Sequence, residues 1–234
     1  MKFKLPRQVL TKELIKVLSR EMRKQKITLH NPSKNTLKQI AEGSKVIEKS
    51  GLPEHLVRKK LPHNLGHGIF LKLDAKPLLQ GDVIAPYAGV VSLEPKNRPD
   101  DAAYAFEPLT DIHLKKEEQP LFDKTSTYHP RRLYSLKVDA LKKGNFTRFI
   151  NHSAKPNVVA VLLKIPSSNR YDLAAAPIEV VYFAKKTIHP GEQLLVSYED
   201  GEKSYWSVFK IKPFPMTPKT FTLNSMFHFL RLPG

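Results

Sequence analysis

The sequence predicts a mostly β fold behind an N-terminal α-helical accessory region, and three observations carry that prediction. After Leu61-Pro62 the chain breaks into short apolar runs rich in Val, Ile, Tyr and Phe, separated by Gly and Pro, which is the pattern of short strands joined by turns. Ahead of that point, apolar residues recur at helical spacing in two separate stretches. The longest uninterrupted apolar run is Val158 to Leu163, far short of the roughly 20 residues a bilayer-spanning helix needs, so the reading is of a soluble protein with no membrane partner.

Residues 10–26 place Leu10, Leu14, Val17, Leu18 and Met22 at helical spacing, with Lys12, Lys16, Arg20, Arg23 and Lys24 on other faces, which predicts a basic amphipathic helix. A second helix is predicted to start at Ser33 after Pro32, to run through Leu37, Ile40, Ala41 and Ile47, and to stop at Gly51 just before Pro53. Together they define a basic helical accessory region over 1–60. Strands are predicted at "GIFLKL", "GDVIAPYAGVVSL", "VVAVLLKI", "IEVVYFAKK" and "QLLVSY". Between Leu93 and Leu133 a Pro-rich stretch without clear periodicity reads as an insertion, residues 94–133, with limited regular structure.

Composition narrows the chemistry. With 234 residues, 41% hydrophobic and 26% charged, the chain can bury one sizeable core. It has no cysteine, which excludes disulfides, thiolate catalysis and every cysteine-based metal site. The start, "MKFKLPRQVLTKEL", has early lysines but no apolar core, so it does not read as a Sec-type signal peptide. Formal net charge is +17, and residues 1–60 hold 16 Lys and Arg against 5 Asp and Glu, so most of the surplus lies there. Such a segment can attract phosphate backbones without reading sequence, as readily as it can be an ordinary solvated helical face. Residues 94–123 run the other way, with eight acids against four bases.

The candidate functional residues come in four pieces. "LGHGIF" sets Gly66 and Gly68 around His67, where glycines allow a positive φ or a close backbone approach. His63 and His67 are four apart in a loop rather than on a helix, so a tight turn is expected there and no metal. "GDVIAPYAG" places Tyr87 before Gly89 at a strand end. "RFINHSAKPN", Arg148 to Asn157, packs Asn151, His152, Ser153, Pro156 and Asn157 behind an apolar pair, more polar structure than a turn alone needs. "GEQLLVSY" runs from Gly191 to Tyr198.

The order of these pieces is more specific than any one of them. From about Leu61 to Trp206 the chain resembles the SET domain of protein lysine methyltransferases, with "RFINHSAKPN" similar to that family's RFxNHSxxPN signature and "GEQLLVSY" to its GEELxxxY signature. The absence of cysteine makes it similar to compact bacterial and viral members; Ala154 stands where the family often has Cys. The resemblance implies a SET fold of small β-sheets in which the two signatures thread together as a pseudoknot, an exception to the rule that chains do not thread. It implies a catalytic domain over 61–200 and a flanking segment over 201–234 that closes the lysine channel.

Carried over residue by residue, the resemblance implies that Gly66, His67, Gly68, Tyr104, Arg148, Asn151 and His152 bind the cofactor S-adenosyl-L-methionine, with Tyr198 and Tyr87 catalytic. It places Ala160, Val196, Tyr205 and Trp206 along the substrate channel. Ala160 and Val196 occupy positions where the family often has a tyrosine that restricts the product, so methylation beyond one methyl is expected. The implied activity is methyl transfer to lysine of a basic protein, histone or histone-like, in cytoplasm, on chromatin, or in a host nucleus after export. A non-histone ribosomal or DNA-packaging target, and an inactive SET-fold module that binds nucleic acid through residues 1–60, remain open readings. Oligomeric state is not legible.

Overall fold

Two helices lead the chain, each built as its pattern requires. In α1 (Lys12–Lys24), Leu14, Val17 and Leu18 are buried, while Lys16, Arg23 and Lys24 are exposed. In α2 (Lys34–Ser50), the Ser33 hydroxyl accepts the Thr36 N–H at 3.0 Å as N-cap, and Gly51, at φ 78°, ends the helix with its N–H on the Ile47 carbonyl. Both helix limits fall where Ser33 and Gly51 predicted them. The computed structural model describes residues 12–27, 29–96, 104–122, 127–164, 179–198 and 215–223.

The rest of the described chain is small sheets. A hairpin pairs β1 (Leu56–Lys60) with β2 (His67–Leu71), antiparallel along its whole length. A first three-stranded sheet has the order β3 (Val83–Pro86), β9 (Glu179–Ala184), β8 (Val158–Leu163), and α2 packs on β3. A second has the order β4 (Val90–Pro95), β6 (Leu133–Asp139), β5 (Ala105–His113). The main core gathers Ile69 and Leu71 of the hairpin, Ile84 and Tyr182 of the first sheet, and Tyr87, Phe146, Ile150 and Val196 from the segments between and after them.

The two-residue strands β7 (Asn151–His152) and β10 (Leu195–Val196) pair in parallel, Leu195 beside Asn151 and Val196 beside His152. The chain crosses here, so both signatures meet in one place. Asn157 pins the crossing: its Nδ2 donates to the Gln193 carbonyl at 2.9 Å and its Oδ1 accepts from the Leu195 N–H at 2.8 Å. The Ser153 N–H adds a bond to the Val196 carbonyl at 2.9 Å. Asn157 is fully buried, so its amide replaces backbone pairing that a two-residue ladder cannot supply.

Three features differ from the sequence reading. β1 was not expected, because "LVRKK" ends in three exposed charges; only Leu56 is buried, and the apolar partner β2 holds the strand in place. The insertion contains the nine-residue strand β5 and the short helix α3 (Gln119–Phe122). Pro108 and register shifts between Phe106 and Leu109 and between Leu109 and Ile112 break the two-residue period, which hid β5 from a periodicity search. Finally, α1 packs against this second sheet: Leu14, Val17 and Leu18 share a cluster with Leu109, Ile112, Tyr134 and Leu136.

Candidate active site

The geometry grows from the crossing outward. Asn151, partly exposed on β7, donates from Nδ2 to the His67 carbonyl at 2.8 Å, which ties the signature to the glycine turn. Gly66 takes φ +75°, with open space where a Cβ would stand. Gly68 is glycine for a different reason. A Cβ there would lie 2.6 Å from the Gln193 side-chain nitrogen, so this position is small to let β2 approach the second signature.

His152, buried, accepts the Tyr198 N–H on Nδ1 at 3.0 Å, and its ring centroid lies 5.5 Å from that of Tyr198. This bond fixes Nδ1 as the acceptor and so puts the proton of a neutral imidazole on Nε2. The Tyr198 hydroxyl donates to the Ile150 carbonyl at 2.9 Å, while 36% of the residue remains exposed. Tyr87, by contrast, is buried, and its hydroxyl donates to the Tyr104 carbonyl. Burial raises the Tyr87 hydroxyl above its ordinary value, with the nearby Tyr198 oxygen adding, so it stays protonated.

Arg148 donates to the carbonyls of Ala140 and Leu141, each at 2.9 Å, and its guanidinium lies 4.7 Å from the Phe149 ring centroid and 5.9 Å from that of Tyr104. Arg58, which the sequence reading did not single out, stands 4.9 Å from the same Phe149 ring. His67 meets that ring edge-on at 5.8 Å. Asn145 was missed as well: from its buried position it donates to the Pro86 carbonyl at 2.7 Å and accepts the Thr147 N–H at 3.1 Å, locking the approach to Tyr87. A buried Asn spanning two segments has no periodic signature, so only the motif itself could have flagged it.

His67, Asn151, His152 and Tyr198 are thus joined at the crossing, with Gly66 and Gly68 on either side of His67, and Tyr87 and Arg148 both meet Tyr104, the first by its hydroxyl and the second by its guanidinium. Ala160 and Val196 join the same core, packed with Tyr87. Tyr205 and Trp206 lie outside the described residues.

Residues 66–199 match the family described as SET domain. The chain belongs to the SET-domain family. Among curated relatives, a Schizosaccharomyces pombe histone-lysine N-methyltransferase, H3 lysine-4 specific, is 36% identical over 67 residues, 29% of this chain and 6% of that protein. The Arabidopsis thaliana histone-lysine N-methyltransferase MEDEA is 38% identical over 73 residues, 31% of this chain and 9% of the other. The Nicotiana tabacum H3 lysine-9 specific SUVH1 is 32% identical over 122 residues, 52% of this chain and 16% of its own length. The chain therefore spans less than a fifth of each of these relatives. A solved structure of ATXR5 with histone H3.1 mono-methylated on R26 superposes with a TM-score of 0.50 at 20% identity, over 76% of this chain and 71% of that one, which supports the SET fold found here.

Among the described residues no helix is long and apolar enough to cross a membrane.

Proposed function

We propose that this SET-domain chain is an S-adenosyl-L-methionine-dependent protein-lysine methyltransferase acting on a basic protein, histone or histone-like. The observation that carries the reading is the crossing, which gathers Asn151, His152 and Tyr198 beside the open Gly66–His67 turn. The residues present fit the cofactor. The guanidinium groups of Arg58 and Arg148 lie 4.9 and 4.7 Å from the centroid of the Phe149 ring, whose edge His67 meets, a local positive charge that suits a ligand carrying a carboxylate, and Asn151 is half-exposed and His67 exposed. When bound, S-adenosyl-L-methionine supplies an electrophilic methyl group on a sulfonium.

The chain's own residues then have three tasks. Asn151, through its hold on the His67 carbonyl, keeps the glycine turn at a fixed distance from the crossing. Tyr87, Tyr182 and Val196 make an apolar wall, and an amine entering it is driven toward its neutral, nucleophilic form, because desolvation disfavours the ammonium. Tyr198 presents an aromatic edge at the surface and a hydroxyl held by the Ile150 carbonyl, in position to orient the amine for in-line attack. Alignment of this kind, rather than acid–base chemistry, supplies the acceleration.

A basic target is favoured because lysine transfer on histones is what the relatives' names describe. Nucleic acid bound to such a target can meet the exposed Lys16, Arg23, Lys24 and Lys26 of α1 and the residues after it. The test is incubation of the full chain with radiolabelled S-adenosylmethionine and core histones, with Tyr198→Phe as control. Label on histone lysine that falls at least about tenfold in the control, the cost of one well-placed transition-state contact of about 1.4 kcal/mol, is expected. No transfer to core histones or to a whole-proteome extract would overturn the reading.

A further inference from the structure

The sequence assigns no role to Tyr182, yet the structure places it at the centre of the tyrosine cluster. It sits in β9 directly opposite Ala160 of β8, and residues so paired in an antiparallel ladder project from the same face with Cβ atoms about 4.5–5.5 Å apart. That face also carries Val180 and Ala184 and packs into the core with Tyr87, Ile150 and Val196. The Tyr182 ring lies 5.7 Å from the Tyr87 ring, tilted by 42°.

Its hydroxyl differs from those of its neighbours. Tyr87 is committed to the Tyr104 carbonyl and Tyr198 to the Ile150 carbonyl. Among the described residues the Tyr182 hydroxyl has no hydrogen-bond partner, although only 3% of the residue is exposed. Burial raises this hydroxyl well above its ordinary value, with the Tyr198 and Tyr87 oxygens adding to the effect, so it remains a neutral donor and acceptor.

We propose that Tyr182 sets the degree of methylation: from β9 it supplies, beside Ala160, the hydroxyl that Ala160 and Val196 cannot. This rests on the lysine methyltransferase reading above. In each turnover the amine lone pair forms the new N–C bond as the S–C bond breaks, sulfur leaves as a thioether, and the displaced proton passes to water. For a second turnover the methylated amine must turn its lone pair back toward sulfur and house a methyl where an N–H had been. Tyr182 accepts that N–H, or holds a water that does, and so favours the unmethylated amine. The expectation from Ala160 and Val196 alone, that the product exceeds one methyl, is thereby reversed, because the missing hydroxyl arrives from the neighbouring strand.

The experiment compares the full chain and Tyr182→Phe on unmethylated and monomethylated synthetic histone H3 tail peptides, reading kcat/KM for each and product mass at exhaustion. In the wild type the unmethylated peptide is preferred and monomethyl product dominates. In Tyr182→Phe the ratio of kcat/KM, monomethylated over unmethylated, rises about three- to tenfold, the worth of one hydrogen bond, and higher products appear. A packing role alone lowers both values together and leaves the ratio fixed, which overturns the proposal. Should Tyr182→Phe not fold, the wild type still decides: equal kcat/KM on both peptides overturns it, and a strong preference for the unmethylated one supports it. Wild-type transfer to neither peptide, nor to core histones, nor to a whole-proteome extract overturns the methyltransferase reading itself and this proposal with it, whereas transfer with an unchanged ratio overturns this proposal alone.

Discussion

Asn157→Ala should unfold the crossing, and the structure sets the size of the effect. Asn157 is fully buried and satisfies two backbone groups of the second signature, the Gln193 carbonyl at 2.9 Å and the Leu195 N–H at 2.8 Å. Its own backbone bonds, N–H to the Leu195 carbonyl at 3.1 Å and carbonyl from the Lys185 N–H at 2.8 Å, survive the substitution. Alanine leaves both side-chain partners buried and unpaired, each costing about 1–3 kcal/mol, so the total loss is about 2–6 kcal/mol. Against a whole-domain stability of about 5–15 kcal/mol, that is a large share.

Asn157→Asp separates the two bonds. The carboxylate still accepts from Leu195 but faces the Gln193 carbonyl with a second acceptor, and it brings a charge into a site with no solvent. It should therefore be at least as damaging as alanine near neutral pH and milder in acid, where a protonated carboxyl can donate. Urea denaturation followed by circular dichroism measures both, with the m-value expected to stay near that of the wild type if only stability changes. A loss below about 1 kcal/mol for Asn157→Ala, no more than an ordinary exposed hydrogen bond, would refute the assignment of the crossing to this side chain.

Two further outcomes are expected. Glu179 has an Oε2 atom sealed from solvent with no partner among the described residues, and burial raises its carboxyl from 4.5 to about 7. Because the folded value lies above the unfolded one, the penalty is absent below pH 4.5, grows from there to about pH 7 and is complete above it, reaching about 3 kcal/mol. Glu179→Gln should therefore stabilise the chain at pH 8 and flatten this part of the pH dependence of Tm; equal Tm gains at pH 4 and pH 8 would exclude it. Gly89→Ala should destabilise by about 1–3 kcal/mol, since the added Cβ would meet the Asp139 carbonyl carbon and oxygen at 2.6 Å, and backbone cannot move aside as a side-chain tip can. A neutral Gly89→Ala in thermal unfolding would mean that β4 and β6 have more slack than their register shows.

Legibility followed the range of the interactions. Helix ends at Ser33 and Gly51 could be read because capping is decided within four residues. β1 and β5 could not, because their stabilisation comes from β2 and β6, and their own patterns are broken by Arg58-Lys59-Lys60 and by Pro108. In the candidate site, Asn151, His152 and Tyr198 were legible as parts of an ordered signature. Arg58, Asn145 and Tyr182 were not: each acts through a partner far away in sequence, Phe149, Pro86 and Tyr87, and no spacing rule links such pairs. Gly68 was legible as a glycine, but the Gln193 side chain that a Cβ there would meet was not, because it lies in a distant segment.

The charge pattern has to be reread in the same terms. From sequence, α1 is a basic amphipathic helix and residues 94–123 an acidic stretch, with nothing to link the two. In the structure they meet. Arg20 pairs with Glu118 and donates to the His113 carbonyl at 2.7 Å, Gln25 donates to the Thr110 carbonyl at 2.9 Å, and buried Glu21 holds Arg20 at 2.9 Å. Glu94 and Asp111 are likewise taken, by Lys137 at 3.6 Å and Lys96 at 2.6 Å. Half-exposed pairs of this sort each contribute only about 0–1 kcal/mol, so they orient α1 rather than hold it. What holds it is Leu14, Val17 and Leu18, at about 1.5–3 kcal/mol each, on Leu109, Ile112 and Tyr134. Removing residues 1–26 should then strip the second sheet of its cover and reduce methylation of free peptide and of DNA-bound substrate alike, with loss of thermal stability. Full activity on free peptide together with a salt-sensitive loss on the DNA-bound substrate would instead show that α1 is a detachable nucleic-acid contact and that its apolar face contributes little to the fold.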